Sequence, residues 1–254
     1  MDLRLRNIIL NLVKKHFPNS NTGKKRVCPS FVLDKLLYVL WTGCPWRALQ
    51  LEKSSYQTLH RHFLSWSEKN IFKEAYTIAY KLQSRPVRRN LRFRCIDASF
   101  VKNIYGKDCI GRNPTDRGRS ATKLSALVDQ NGMPIALKFF PANCHDVHTV
   151  ESTLLDAIEP QAKSYPLYAD KGYDSQAVRR IIRGHGYIDR VGKRKTVVHR
   201  VVNRRRNVVE RFFSWLDKSR RLIVRYDALI TSYEAWTWLA SLRLLFFRTE
   251  SDFL

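Results

Sequence analysis

"TKLSALVDQNGMPIALKFF", residues 122–140, decides the fold. Two runs rich in strand formers flank Asn131-Gly132, a pair that supplies the positive φ a tight hairpin turn requires. Upstream, "RFRCIDASFV" (92–101) is a third run of the same kind, so three antiparallel strands are expected in succession. Downstream, "HDVHTVESTLLDAI" (145–158) places Val150, Leu154, Leu155 and Ile158 at helical spacing. "YPLYAD" (165–170) returns to a strand, "SQAVRRIIRGHG" (175–186) reads as a helix closed by glycine, and "YIDRV" (187–191) as a fifth strand. With long helices after them, these elements predict an α/β fold, a mixed sheet flanked by helices.

The first 83 residues read differently. Apolar residues recur at three- and four-residue spacing over 3–16 and 29–41, and Tyr56, Leu59, Phe63 and Trp66 form one stripe. A fourth helix is expected over 70–83, and Pro45 in "TGCPW" marks a turn. "SRPVRRNLR" (84–92), with a proline and four arginines, reads as a linker. The expected organisation is a small all-α domain over 1–83, the linker, and the α/β domain over 93–254.

Of 254 residues, 46 are Lys or Arg and 22 Asp or Glu, a formal charge of +24 with a pI near 10.2. Such an excess points to a polyanionic partner, nucleic acid before an anionic membrane surface. The longest apolar stretch, "AWTWLASLRLLFF" (235–247), is interrupted by Arg243 and falls short of the roughly 20 residues a membrane span needs. No secretory signal is seen in "MDLRLRNIILNLVKKHF", so a soluble, intracellular protein is expected. Cys28, Cys44, Cys95, Cys109 and Cys144 include no CxxC pair and suggest neither a disulfide framework nor a zinc site.

Three acids stand out against this charge. Asp97 sits among Phe93, Cys95 and Ile96 in a strand, where it either faces solvent or needs a partner. Asp170 ends a strand, where open α/β sheets collect ligands; a helix N-cap is its other reading, although Asp174 is better placed for that. Glu210 lies on a helix whose apolar face is Val209, Phe212, Phe213 and Leu216, on a polar stripe with Asn203, Arg206 and Asp217. It is either half of an Arg206–Glu210 surface pair worth about 0.3 to 0.5 kcal/mol or a metal ligand. Together the three suit two Mg²⁺ or Mn²⁺ ions roughly 3.5 to 4 Å apart, acting on the attacking and leaving oxygens of a phosphodiester. Bound metal reverses the local charge and lets a DNA backbone approach.

"LLYVLWTGCPWRALQ", "YQTLHRHFLSW", "CIDASFV", "TKLSALVDQNGMPIAL", "NCHDVHTV", "YADKGYD" and "VVERFFSWLDKSRRLIVRYD" together resemble DDE transposases of bacterial insertion sequences, of the IS-four and IS-five superfamily and its IS-five branch. The resemblance implies an RNase H-like catalytic domain and a DNA-binding helical domain. It implies Asp97, Asp170 and Glu210 as the metal-binding triad with Arg206 beside them, and strand cleavage and strand transfer on DNA by a dimer. The family's last motif is a Tyr, Arg, Glu, Lys pattern. Here Asn203 stands at the Tyr position and Asp217 at the Lys position, with Lys218 one place late. Two readings outside this class stay open: a metal-dependent nuclease without strand transfer, and a non-catalytic DNA-binding repressor.

Eleven cations between Arg179 and Arg206 suit a strip along phosphates, with Arg179, Arg180, Arg183, Lys193, Arg194, Lys195, Arg204, Arg205 and, beyond it, Arg211 as expected contacts. Lys123 is expected to reach the same backbone. Base reading falls to Gln57, His60 and Arg61, unless that helix only packs its domain. His145, Asp146 and His148 read as a loop and helix start with Asp146 as N-cap, and Trp215, Trp236 and Trp238 as core.

Overall fold

The computed structural model describes residues 3–18, 26–49, 51, 54–87, 92–158, 164–193 and 200–247. Its helices are α1 (Leu3–His16), α2 (Pro29–Thr42), α3 (Tyr56–Glu68), α4 (Ile71–Val87), α5 (Asp146–Leu155), α6 (Gln176–Gly184), α7 (Arg200–Asp217), α8 (Arg220–Ile223) and α9 (Ile230–Phe247). Strands β1 (Arg94–Asn103), β2 (Gly111–Arg112), β3 (Ser120–Asp129), β4 (Pro134–Pro141), β5 (Pro166–Ala169) and β6 (Ile188–Val191) share one sheet. The chain divides into two compact units, Met1–Arg85 with Leu216–Leu254, and Pro86–Trp215.

That division departs from the domain limits expected at 83 and 93. Helix α4 runs on to Val87, through the first part of the expected linker, and residues 88–91 lie outside those described. More consequentially, α8 and α9 group with the N-terminal helices. Helix α9 is apolar nearly all round, and such a helix must be surrounded. Its Trp236, Trp238, Leu239 and Leu242 are buried, and Trp236 stacks on Phe63 of α3 with ring centroids 4.2 Å apart. Arg243 lies over the Trp41 ring at 4.1 Å, and burial pulls its pKa down. The long apolar run is thus a core helix, and no helix among the described residues is long and apolar enough to cross a membrane.

Two local features fix the helical unit. Gly43 closes α2 with φ +67°, its N–H donating to Val39 O at 2.9 Å; a Cβ there would stand 3.1 Å from the backbone of Arg220. Near the start of α9, Arg221 and Asp227 form a buried ion pair at 2.7 Å, and Trp236 Nε1 donates to the same carboxylate oxygen at 3.4 Å. Arg221 Nε and Asp227 Oδ2 are left without a hydrogen-bond partner, so this pair is an imperfectly compensated charge site.

In the second unit β1 pairs antiparallel with β3, β3 antiparallel with β4, and β1, β5 and β6 run parallel. The expected hairpin forms at Asn131-Gly132: Asp129 accepts from the N–H groups of Asn131 (2.8 Å) and Met133 (3.0 Å), and Gly132 takes φ +81°. A Cβ on Gly132 would lie 3.1 Å from the Trp215 ring of α7. The mixed α/β sheet flanked by helices is the expected class. The short β2 edge, paired to Ala121 and Ser120, was not foreseen.

Alternation settles which side of β1 meets which helix. Thr153 of α5 donates to Ser125 at 2.9 Å, and Ser125 sits opposite Ala98, so that face of the sheet belongs to α5. Cys95 and Asp97 point the other way, where Cys95 Sγ donates to the Arg205 carbonyl of α7 at 3.2 Å. The cysteines are all free thiols, as expected.

Candidate active site

Asp97 follows Cys95 on the α7 side of β1, one pleat further along. Burial is the main influence on it and pushes its carboxyl up to about 6. The Ala98 N–H, 2.8 Å from Oδ1, and Arg206 pull it down, while Asp170 and Glu210 push it up. Both other acids therefore act on Asp97.

Asp170 arrives by strand register. Cys95 of β1 pairs with Tyr168 of β5, and Asp97 and Asp170 each lie two residues beyond that pair, at the same end of neighbouring parallel strands. Ligands gather at this end of an open sheet. The residue occupies the N-cap position of a single 3-10 turn, Lys171–Tyr173, but its side chain caps nothing. It takes an ion pair instead, 3.0 Å from Arg206 Nη1. The adjoining helix α6 is capped by Ser175, whose hydroxyl accepts from Val178 at 3.2 Å, and not by Asp174 as expected. Arg179 has captured Asp174 at 2.8 Å.

Glu210 stands one turn after Arg206 on α7, at the margin of a face that buries Val208, Val209, Phe212 and Leu216. Arg206 Nη2 lies 3.6 Å from its Oε1, with 55 % of the Glu210 side chain exposed. Arg206 itself is largely covered and bridges Asp170 and Glu210. Of the two readings of Glu210, the structure shows the i,i+4 pair with Arg206, and Arg206 also reaches Asp170.

Among the described residues no three His, Cys, Asp or Glu side chains are arranged to hold a metal ion as they stand. The donor set nevertheless suits a hard divalent cation, which takes carboxylate oxygens. A cationic group, the Arg206 guanidinium, already contacts two of the three acids with a single positive charge, and a cation near Asp97 would favour its ionised form. Asp97, Asp170 and Glu210 could supply such oxygens only if Arg206 moved from between Asp170 and Glu210.

The expected DNA contacts are placed less uniformly. Lys123 is buried: its Nζ donates to Cys144 O at 2.6 Å and Asp146 at 3.0 Å and sits over Phe100, so it is not presented to a backbone. Asp146 is accordingly the Lys123 partner, and His145 holds the N-cap position. Arg179 binds Asp174 and Asp189, and Arg183 binds Asp189 at 2.6 Å, which neutralises that part of the strip. Arg205 lies over Phe93 (5.2 Å) and Tyr168 (5.1 Å) and donates to the Tyr168 hydroxyl. Arg180, Lys193 and Arg211 are exposed, Arg211 over the Trp215 ring. Arg194 and Lys195 lie outside the described residues, as does the side chain of Arg204. In the helical unit Gln57 and Arg61 are exposed, but His60 turns inward, its ring 4.9 Å from Trp46 and its pKa pulled down by burial.

Tyr173 escaped sequence reasoning. It is buried within electrostatic reach of Asp97, Asp146 and Asp170, and burial followed by these charges holds its phenol well above the usual range. The signal was its place in "DKGYD", three residues after Asp170.

Two acids at the strand ends of a mixed sheet and a third on a late helix are compatible with metal-assisted phosphodiester chemistry. Family comparison narrows it. Residues 88–245 match the family described as "Transposase DDE domain", and this chain belongs to that family. Residues 7–76 match a second family, "Putative transposase of IS4/5 family". A relative from Burkholderia cepacia, "Putative transposase for insertion sequence element IS402", is 39 % identical over 131 residues, 48 % of this chain and 62 % of that protein. The chain thus spans less than two thirds of that relative's length. Among solved structures, the catalytic domain of Mos1 mariner transposase matches with a TM-score of 0.31 at 11 % identity, over 70 % of this chain and 93 % of that one. The Mos1 mariner paired end complex with Mn matches with a TM-score of 0.29 at 12 % identity, over 93 % and 82 %.

Proposed function

We propose that this chain is a DNA transposase of the IS-five branch that cuts transposon ends and joins their 3′ hydroxyls to target DNA. The observation that supports this reading is the placement of Asp97 and Asp170 at the same end of adjacent parallel strands, with Arg206 of α7 pairing with Asp170 and Glu210. Divalent ions, Mg²⁺ or Mn²⁺, when bound there, supply Lewis acidity at the attacking and leaving oxygens of the scissile phosphodiester. Asp97 fixes the deep side of the site, Asp170 the strand end and Glu210 the open side. Arg206, once released from Asp170 and Glu210, would be free to meet a phosphate oxygen.

The partners are transposon terminal repeats and target DNA, met by a homodimer holding two ends, in the bacterial cytoplasm at the nucleoid. The charge of +24 supports this, as do the IS-element relatives. A precleaved inverted-repeat end incubated with supercoiled target and Mg²⁺ tests it: joined products are expected. Cutting without joining would leave only a nuclease. A protein inert toward both DNAs, whose biological effect survives Asp97→Asn with Glu210→Gln, would be a repressor.

A further inference from the structure

A groove of about 990 Å³ opens in the helical unit, beside the start of α2 and along one side of α3. The packed stripe of α3 is Leu59, Phe63 and Trp66; Thr58, Arg61, His62 and Ser65 recur at helical spacing on another side and line the groove, with Arg26 and Ser55. Three nitrogenous side chains converge here. The His62 imidazole is pushed down first by burial and then by Arg26 and Arg61. Asp34 is engaged by Arg6, Glu74 by Lys15 and His16, and Asp227 by Arg221, while Glu68 at the end of α3 lies two turns after Arg61. Among the described residues Arg26 meets the Pro18 carbonyl at 3.3 Å and Arg61 the Thr58 hydroxyl at 3.4 Å, and neither has an acidic partner.

Cations gathered along one groove repel one another in the free protein, and an anion in the groove relieves this. The volume is far too large for a lone ion. Guanidinium forks with hydroxyl donors match phosphate oxygens, whereas base reading requires donors and acceptors set against base edges. We propose that this groove seats the phosphodiester backbone of duplex DNA through Arg26, Arg61 and His62 and contributes affinity without sequence choice. The proposal rests on the transposase reading above. It moves DNA contact in this unit away from Gln57 and the inward-facing His60.

Fluorescence anisotropy of the full chain in EDTA, on a transposon-end duplex and on a scrambled duplex of equal length, tests it across a salt series. Arg26→Ala with Arg61→Ala should weaken both duplexes alike, by roughly tenfold to a hundredfold, and flatten the log–log salt slope by about 2. Arg61→Gln alone should flatten it by about 1, and serves where the double variant fails to fold. Unchanged affinity and slope in the variants overturns the groove assignment while leaving the transposase reading intact. A loss confined to the transposon end also overturns it, since the groove would then read bases. A wild-type chain that binds neither duplex overturns both.

Discussion

Asp97→Asn should stabilise the metal-free protein, an unusual direction for a change in an active site. The Asp97 carboxyl rises from its ordinary 3.8 to about 6 on folding. At about 1.36 kcal/mol per pH unit, the ionised carboxylate destabilises the native state by about 3 kcal/mol at most. The sign follows from proton binding. Between pH 3.8 and 6 the folded state holds the proton more tightly than the unfolded state, so stability falls as pH rises through this window, and the full penalty applies above it. Asparagine removes the charge and keeps an oxygen for the Ala98 N–H. At pH 7.5 in EDTA the variant should therefore melt up to about 6–12 °C higher than wild type, and the gap should shrink towards pH 4.5. Mn²⁺ should raise the wild-type melting temperature and leave the variant nearly unmoved, since only a ligand that binds the native state stabilises it. Melting curves by circular dichroism decide the matter. A variant less stable than wild type at pH 7.5, or a gap independent of pH, refutes the burial argument.

Glu210→Gln should bind duplex DNA like wild type and lose strand transfer by more than about 10²-fold, read from joined products on agarose. Arg206→Ala removes the cation between Asp170 and Glu210 and should tighten DNA-free Mn²⁺ binding by about tenfold in calorimetry. Asp227→Ala strands the buried Arg221 and should cost about 3–5 kcal/mol in urea unfolding; replacing both partners by apolar residues should cost less. Gly43→Ala places a side chain at φ +67° against Arg220 and should cost about 1–3 kcal/mol.

The hairpin and the parallel strands were legible because turn chemistry and hydrophobic period are local properties. Asp97 and Asp170 stood out because each interrupts or ends an apolar run, and Glu210 because a helical wheel put it at the edge of a core face. What sequence could not show was how charges are shared out. Lys123 is expected to reach a DNA backbone, yet a carbonyl and Asp146 satisfy its ammonium inside the fold. Asp174 and Ser175 are both able to cap α6, and Arg179, five residues after Asp174, settled the choice. Helix α9 announced its burial through composition, but composition does not name the neighbour, so its grouping with the N-terminal helices was out of reach.

The anchoring of α7 at Arg205 has a consequence for how this gene can vary. Arg205 is clasped by two aromatic rings, its carbonyl is taken by Cys95, and Glu210 follows five positions later on the same rigid rod. Each inserted or deleted residue in that interval would swing the carboxylate by about 100° around the rod and shift it by about 1.5 Å. Natural relatives should therefore differ freely in residue type between these two positions while keeping the interval's length fixed, so that the helix serves as a ruler measured in turns.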